Sequence, residues 1–88
     1  NDLIEKRTNS LYTVDAAIAL HEFADRFGEA QEIDVRVDTL AGFVQERLGR
    51  IALVGDVVEM STATHQLKLT VREASATRVL IVKLEVLE

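Results

Sequence analysis

The sequence comprises 88 residues, 48% of them hydrophobic and 28% charged, and carries a net charge of −5. These values are typical of one small globular domain, and the acidic excess argues against nucleic acid as a partner, because phosphates require a positive surface. Cysteine is absent, which excludes disulfides and thiolate metal sites, and no apolar run reaches the ~20 residues of a membrane-spanning helix.

The first part of the chain predicts one strand and one helix. Residues 1–9 are mostly polar and are predicted to be the remnant of a linker, so that the domain itself occupies 10–88. The β-branched and aromatic stretch 10–14 predicts a strand, and Asp15 is placed to cap a helix over 16–27. Gly28 is predicted to end that helix in a left-handed conformation. One face of the helix is formed by Ala16, Leu20, Phe23, Ala24 and Phe27.

The middle of the chain predicts an extended connector and a second short helix. Residues 29–38 alternate weakly, which favours a connector with some strand pairing. Asp38 or Thr39 is predicted to cap the second helix, and Gly49 is predicted to end it. The apolar positions of the connector are Ile33, Val35 and Val37. The helix face is formed by Leu40, Phe43, Val44, Arg47 and Leu48.

The last third of the chain predicts three strands, at 57–60, 66–73 and 78–88. The order β-α-(short extended)-α-β-β-β indicates an α+β fold, in which an antiparallel sheet of about four strands carries both helices on one face. We expect the apolar final strand to offer a sheet edge that pairs with another copy. The predicted inward positions are Leu67, Leu69, Val71, Leu80, Val82, Leu84 and Val86.

The sequence contains no recognised set of catalytic residues or phosphate-binding glycines, and no cofactor is predicted. His21 and His65 are interpreted as surface histidines. The acidic connector has two interpretations. A solvated charged face is the more ordinary one, and a loose magnesium contact through Glu32, Asp34 or Asp38 is the other, because Mg²⁺ needs only one or two carboxylates.

Gly42 stands in the first turn of the second helix, where glycine is unfavourable by ~1 kcal/mol relative to alanine. One interpretation is that the helix lies so close to the sheet or to the first helix that a side chain would clash. The other is that the free N–H groups at the helix N-terminus meet a ligand or partner. Asp38 disfavours an anion there, because its carboxylate already occupies the positive end of the helix dipole.

The central motif resembles the CorC/HlyC transporter-associated domain over residues 10 to about 86. The matching segments are "DTLAG", "ERLGRI" and "VGD". Ala52 stands where the family usually has proline, and Val37 stands where it often has an aromatic residue. The family motif residues are Asp38, Thr39, Leu40, Ala41, Gly42, Leu48, Gly49, Arg50, Ile51, Gly55 and Asp56.

This resemblance implies a place in a larger protein. Such domains follow a transmembrane domain and a pair of CBS modules, on the cytoplasmic side of the bacterial inner membrane, in proteins linked to magnesium and cobalt efflux and often labelled hemolysin-related. Their fold is similar to one found in FAD-binding enzymes. The implied function is non-catalytic regulation by docking on the CBS pair or in a homodimer. The alternative is a small-ligand sensor that binds a divalent cation or an adenine nucleotide.

Overall fold

The computed structural model describes residues 3–31 and 36–88. It confirms the predicted α+β class, with two helices and an antiparallel sheet, although the sheet has five strands where about four were expected. The elements in chain order are β1 (Ile4–Lys6), β2 (Leu11–Asp15), α1 (Leu20–Phe27), α2 (Leu40–Leu48), β3 (Val57–Ser61), β4 (Gln66–Ala74) and β5 (Val79–Val86). Neither of these helices is long enough to cross a bilayer. Residues 32–35 of the predicted connector, which include Ile33 and Val35, lie outside the described residues.

The strands are arranged in the order β1-β2-β5-β4-β3. The additional strand, β1, comes from the segment assigned to a linker remnant, and it pairs with β2 through Ile4 opposite Val14. The final strand β5 lies between β2 and β4. Our expectation that this strand offers a free edge to another copy is therefore wrong, because both of its edges already pair within the sheet.

The core lies between one face of the sheet and the two helices. The alternation predicted for β4 is confirmed, since Leu67, Leu69 and Val71 are buried while the residues between them are not. The opposite face of the sheet is polar, and Lys68 of β4 lies 3.9 Å from the carboxylate of Glu85 on β5. The other buried core residues are Ile4, Tyr12, Val14, Ala16, Ile18, Phe23, Phe27, Leu40, Ala41, Phe43, Val44, Ala52, Val58, Met60, Val79, Val82 and Leu84.

The inward face of β5 changes near its start, which the sequence pattern did not indicate. Val79, Val82 and Leu84 are buried, whereas Leu80 is only half-buried. The register of β4 against β5 shifts between Val71 and Ala74, so the simple alternation breaks there. The prediction that Leu80 is a core residue is therefore wrong for this end of the strand.

Helix α1 begins later than predicted, at Leu20, and Ala19 occupies its N-cap position. The predicted cap, Asp15, instead accepts a hydrogen bond from the amide of Ala17 at 2.9 Å and so stabilises a turn. Residues 16–19 are held in this turn by the start of the second helix. The amide of Leu40 donates to the carbonyl of Ile18, and the amide of Ala41 donates to the carbonyl of Ala16. These long-range bonds replace the helical turn that periodicity predicted.

The C-terminus of α1 is closed by side chains from the β3–β4 connection. The last helical carbonyl, that of Phe27, accepts the hydroxyls of Thr62 at 2.6 Å and Thr64 at 3.0 Å. Gly28 follows with φ 94° and ψ 160°, which is an extended conformation with positive φ and not the left-handed helical one predicted. This region is available almost only to glycine.

Candidate functional site

The N-terminus of α2 is closed by its own motif residues. Thr39 is the N-cap, and its Oγ1 accepts the amide of Gly42 at 3.1 Å. Asp38 is exposed, and its main-chain carbonyl accepts the amide of Leu20 at 2.8 Å. Of the two predicted caps, Thr39 is therefore the correct one.

A side chain at Gly42 would first meet the residues that lead into α2, and not the described part of the sheet or of the first helix. A Cβ atom built on it would lie 3.3 Å from Val37 Cγ1 and 3.4 Å from Thr39 Oγ1, and it would meet no other outside atom of the described residues within 4 Å. The neighbours that limit a side chain are thus the residues that lead into the helix. The expectation of close packing on the sheet or on α1 is wrong, because the other side of Gly42 faces a cleft.

The C-terminus of α2 ends as predicted at Gly49, which has the left-handed conformation with φ 70° and ψ 16°. Its amide donates to the carbonyl of Gln45 at 2.9 Å, the usual way of satisfying a carbonyl of the last turn. The chain then turns away from the helix and enters the loop of residues 50–56, which precedes β3.

Arg50 and Asp56 close this loop with a bidentate ion pair. Nη1 and Nη2 of the guanidinium lie 2.9 Å from the two carboxylate oxygens. The same carboxylate accepts the amide of Leu53 at 2.8 Å. Two main-chain hydrogen bonds connect the loop to β4. The amide of Gly55 donates to the carbonyl of Val71, and the amide of Val71 donates to the carbonyl of Asp56. The motif residues therefore fix a loop, which we name the clamped loop.

The ion pair changes the protonation behaviour of both partners. The hydrogen bonds from the Arg50 guanidinium, followed by that from the Leu53 amide, lower the pKa of Asp56 below its usual value. The same contact raises the pKa of Arg50. Asp56 therefore stays ionised to a lower pH in the folded domain than an ordinary aspartate does, as a bidentate partner of arginine requires.

The clamped loop presents aliphatic side chains to solvent. Ile51 is 68% exposed, Leu53 is 62% exposed and Val54 is 67% exposed, while Ala52 between them is buried. Val57 at the start of β3 continues this surface and is 47% exposed. We name these four exposed residues the apolar corner. Ala52 belongs to the hydrophobic core and anchors the loop to it.

The predicted metal ligands are not brought together among the described residues. Asp38 is exposed, and Glu32 and Asp34 lie outside the described ranges. Within residues 3–31 and 36–88, no three histidine, aspartate or glutamate side chains converge as cation ligands would. The described residues of the acidic connector therefore do not form a metal site.

The two histidines occupy different environments. His21 is exposed on α1. His65 is half-buried, with Nδ1 2.8 Å from the hydroxyl of Thr64, a distance that a nucleophile and its base would also show. The side chains of Thr64 and His65 also form hydrogen bonds with the carbonyl of Phe27. The pair therefore helps to close the end of α1, a structural role that the surface interpretation of His65 missed.

A cleft of about 570 Å³ opens between the start of α2 and the beginning of β5. Its size falls within the range of small-molecule sites. Ala41 and Gly42 contribute to one wall, and Leu80 and Ile81 contribute to another. The charged lining residues are Asp15, Glu73 and Arg78.

Gln45 was not singled out from the sequence, although it joins α2 to β5. Its Oε1 accepts the amide of Val79 at 2.9 Å, and Val79 is buried. A polar residue at the edge of an apolar helix face was the only available signal. The contact supplies a hydrogen-bond acceptor for the amide of Val79 at the irregular start of β5.

Replacement of Gln45 by leucine is expected to lower the free energy of unfolding by about 1–3 kcal/mol, because the buried amide of Val79 loses its acceptor. Urea unfolding followed by circular dichroism measures this change. Gln45→Glu is the matched control, since it keeps an oxygen acceptor in place. Equal stability of Gln45→Leu and wild type would contradict the proposed contribution of this hydrogen bond.

Replacement of Asp56 by asparagine tests the ion pair through its pH dependence. A carboxyl with a lowered folded pKa stabilises the fold above its ordinary pKa of ~3.9, and that stabilisation is lost as pH falls through the folded value. We therefore expect wild type to lose more stability than Asp56→Asn between about pH 6 and about pH 2. Unfolding curves across this range measure the difference, and parallel pH profiles would contradict it.

Comparison with known proteins assigns the chain to a class. A family model described as a transporter associated domain, CorC_HlyC, matches residues 5–88. The class is therefore that of the transporter-associated domains. The chain belongs to the CorC/HlyC family of these domains, as its motif residues indicated. A search of curated proteins gave no match.

Solved structures share the fold over nearly their whole length. A hemolysin domain from Enterococcus faecalis is 27% identical, with a TM-score of 0.77, and the match covers 98% of this chain and 99% of that one. A Neisseria meningitidis region named for association with a Mg²⁺ and Co²⁺ transporter (CorC) is 23% identical, with a TM-score of 0.78 and coverages of 98% and 100%. The transporter associated domain of a CBS domain protein from Porphyromonas gingivalis is 19% identical, with a TM-score of 0.70 and coverages of 94% and 95%.

Proposed function

We propose that this domain is a non-catalytic regulatory module of a bacterial membrane transporter for divalent cations such as Mg²⁺ and Co²⁺. It acts by docking on other protein, on the cytoplasmic side of the inner membrane, next to a pair of CBS modules in the full-length chain. Family membership supports this context, as do the names of the Neisseria and Porphyromonas relatives.

The observation that carries the docking proposal is the clamped loop. Family motif residues form the ion pair of Arg50 and Asp56, and this pair fixes a loop whose aliphatic side chains point into solvent. A domain gains little stability from exposed aliphatic residues, whereas a contact surface uses them. The clamped loop therefore supports recognition, whereas Leu40 and Ala41 of the same motif are buried in the core.

A transport measurement tests this function. The full-length protein and a version that lacks residues 3–88 are compared in membrane vesicles for Mg²⁺ and Co²⁺ flux. We expect the truncated protein to insert normally and to transport at a changed rate or with altered response to regulators of the CBS pair. Equal transport by both proteins would contradict the proposal. An open reading frame that encodes no membrane helices would contradict it as well.

A small-ligand sensor is the second candidate, and the cleft beside α2 is the observation that favours it. The cleft has the volume of a ligand site, and its charged residues comprise two carboxylates and one guanidinium. This balance is unfavourable for the phosphates of an adenine nucleotide. Calorimetry of the isolated domain with MgCl₂, CoCl₂ and ATP distinguishes the candidates, because the docking module releases no binding heat with any of them.

A further inference from the structure

The apolar corner is the main exposed apolar surface of the described residues. Five large hydrophobic side chains are exposed in residues 3–31 and 36–88, and four of them belong to this corner. They are consecutive or nearly so in the chain, at positions 51, 53, 54 and 57. The fifth, Leu87, follows the end of β5, where its amide bonds to Gln66 at the far end of β4. The distribution is therefore concentrated, as in a contact surface.

The corner is already ordered before any partner binds. The Asp56 carboxylate holds the Arg50 guanidinium and the Leu53 amide together, and main-chain bonds connect the loop to β4. A loop fixed in this way loses little conformational entropy on docking. The corner therefore suits a contact with a rigid complementary groove.

The charges around the corner favour a neutral partner. Arg50 is engaged with Asp56, and Arg47 donates to the carbonyl of Glu59 while its guanidinium lies 5.1 Å from the ring centre of Phe43. The chain as a whole is acidic, and the corner has no tryptophan or tyrosine. An anionic lipid surface attracts clusters of available basic groups, so it does not match this surface.

The size of the corner indicates whether its partner is a free protein or a domain of the same polypeptide. Four partly exposed aliphatic side chains offer less apolar surface than a stable interface between free proteins buries. A stable interface between free proteins buries about 800 Å² on each partner, so two free copies joined through this corner would separate readily. A domain tethered in the same polypeptide faces a local concentration of about 1 mM, which makes a weak contact sufficient.

We infer that the apolar corner docks into a neutral apolar groove on another folded domain of the same polypeptide. This inference rests on the proposed function and names the surface through which that function operates. A Kd of about 0.1 mM at a local concentration of about 1 mM would keep about ten docked molecules for each free one. The corner is then covered for most of the time in the full-length chain.

Single-cysteine labelling tests this docking, since the domain has no cysteine of its own. Val54→Cys is introduced into the 88-residue domain and into a full-length chain whose other cysteines are replaced. Solved relatives of the same length are separate folded domains, so the isolated domain is a suitable reference. We expect maleimide to label Val54→Cys about tenfold more slowly in the full-length chain. Equal rates would overturn the inference.

Leu87→Cys is the matched control, because Leu87 is also an exposed aliphatic residue but lies outside the corner. It is expected to label at the same rate in both proteins. A second substitution, Leu53→Asn, is expected to restore fast labelling of Val54→Cys in the full-length chain without changing the stability of the isolated domain. Slow labelling that persists in this double variant would contradict docking through the corner.

Two further measurements test the other possible partners of the corner, which are a second copy of the domain and the membrane surface. Labelling of the isolated Val54→Cys domain that slows with protein concentration would identify a second copy as the occupant and overturn the inference. Slowing by phosphatidylglycerol vesicles would identify the membrane and also overturn it. An open reading frame that encodes no second domain removes both this inference and the proposed function. Fast labelling of Val54→Cys in a full-length chain with intact CBS and membrane domains would overturn this inference alone.

Discussion

Replacement of Phe27 by alanine is expected to lower the free energy of unfolding by about 3–5 kcal/mol. The ring of Phe27 is 2% exposed. It lies 5.1 Å from the ring of Tyr12 in an edge-to-face arrangement and 4.9 Å from that of Phe23. The substitution removes both aromatic contacts and leaves a cavity between α1 and β2. Because domains of this length are stable by only ~4–13 kcal/mol, a large fraction of the molecules would unfold on mild heating.

Thermal and urea unfolding of the variant measure this loss. Leu20→Ala is the matched control, because Leu20 lies on the same helix but is only half-buried, so its truncation is expected to destabilise the domain much less. Comparable losses for the two variants would contradict the central position of Phe27 in the core.

Replacement of Gly28 by alanine is expected to destabilise the domain by about 2–4 kcal/mol, through backbone strain and lost hydrogen bonds. The φ angle of 94° is unfavourable for any residue with a side chain. The added Cβ would also collide with the hydroxyl of Thr64 and lie 2.8 Å from that of Thr62. Those two hydroxyls close the end of α1, so moving them exposes the carbonyl of Phe27.

Gly49→Ala distinguishes backbone strain from steric collision. Gly49 also has positive φ, but a Cβ added there would meet no atom of residues 3–31 and 36–88 within 4 Å. Its expected loss is about 1–2 kcal/mol, the usual penalty for a left-handed residue. Denaturant unfolding of both variants gives the comparison. A loss at Gly28 no greater than that at Gly49 would show that the threonine hydroxyls do not restrict this position.

Local signals explain what was predicted well. The cap at Thr39 and the stop at Gly49 depend on hydrogen bonds within one helical turn, so residue type and spacing were sufficient. The alternation of β4 likewise depends only on which face of the strand is buried. The clamped loop was recognised as a motif, yet its physical role was not, because the sequence does not show that Arg50 and Asp56 face each other across the turn.

The failures share one cause, which is that the decisive partners lie far away in the chain. Helix α1 begins at Leu20 because residues 16–19 bond to the start of α2. Strand β5 lies inside the sheet because β2 pairs with it from the other end of the chain. The position of Gly42 beside a cleft follows from how α2 meets β5.

The sequence by itself determined the α+β class, the two capped ends of the second helix, the alternation of β4 and the family. These features follow from backbone and side-chain preferences that act over a few residues. Only the tertiary structure decided the strand order, the late start of α1, the closure of α1 by Thr62 and Thr64, and the exposure of the apolar corner. Each of these depends on which distant groups satisfy a hydrogen bond or cover an apolar side chain, and that is fixed only when the whole chain packs.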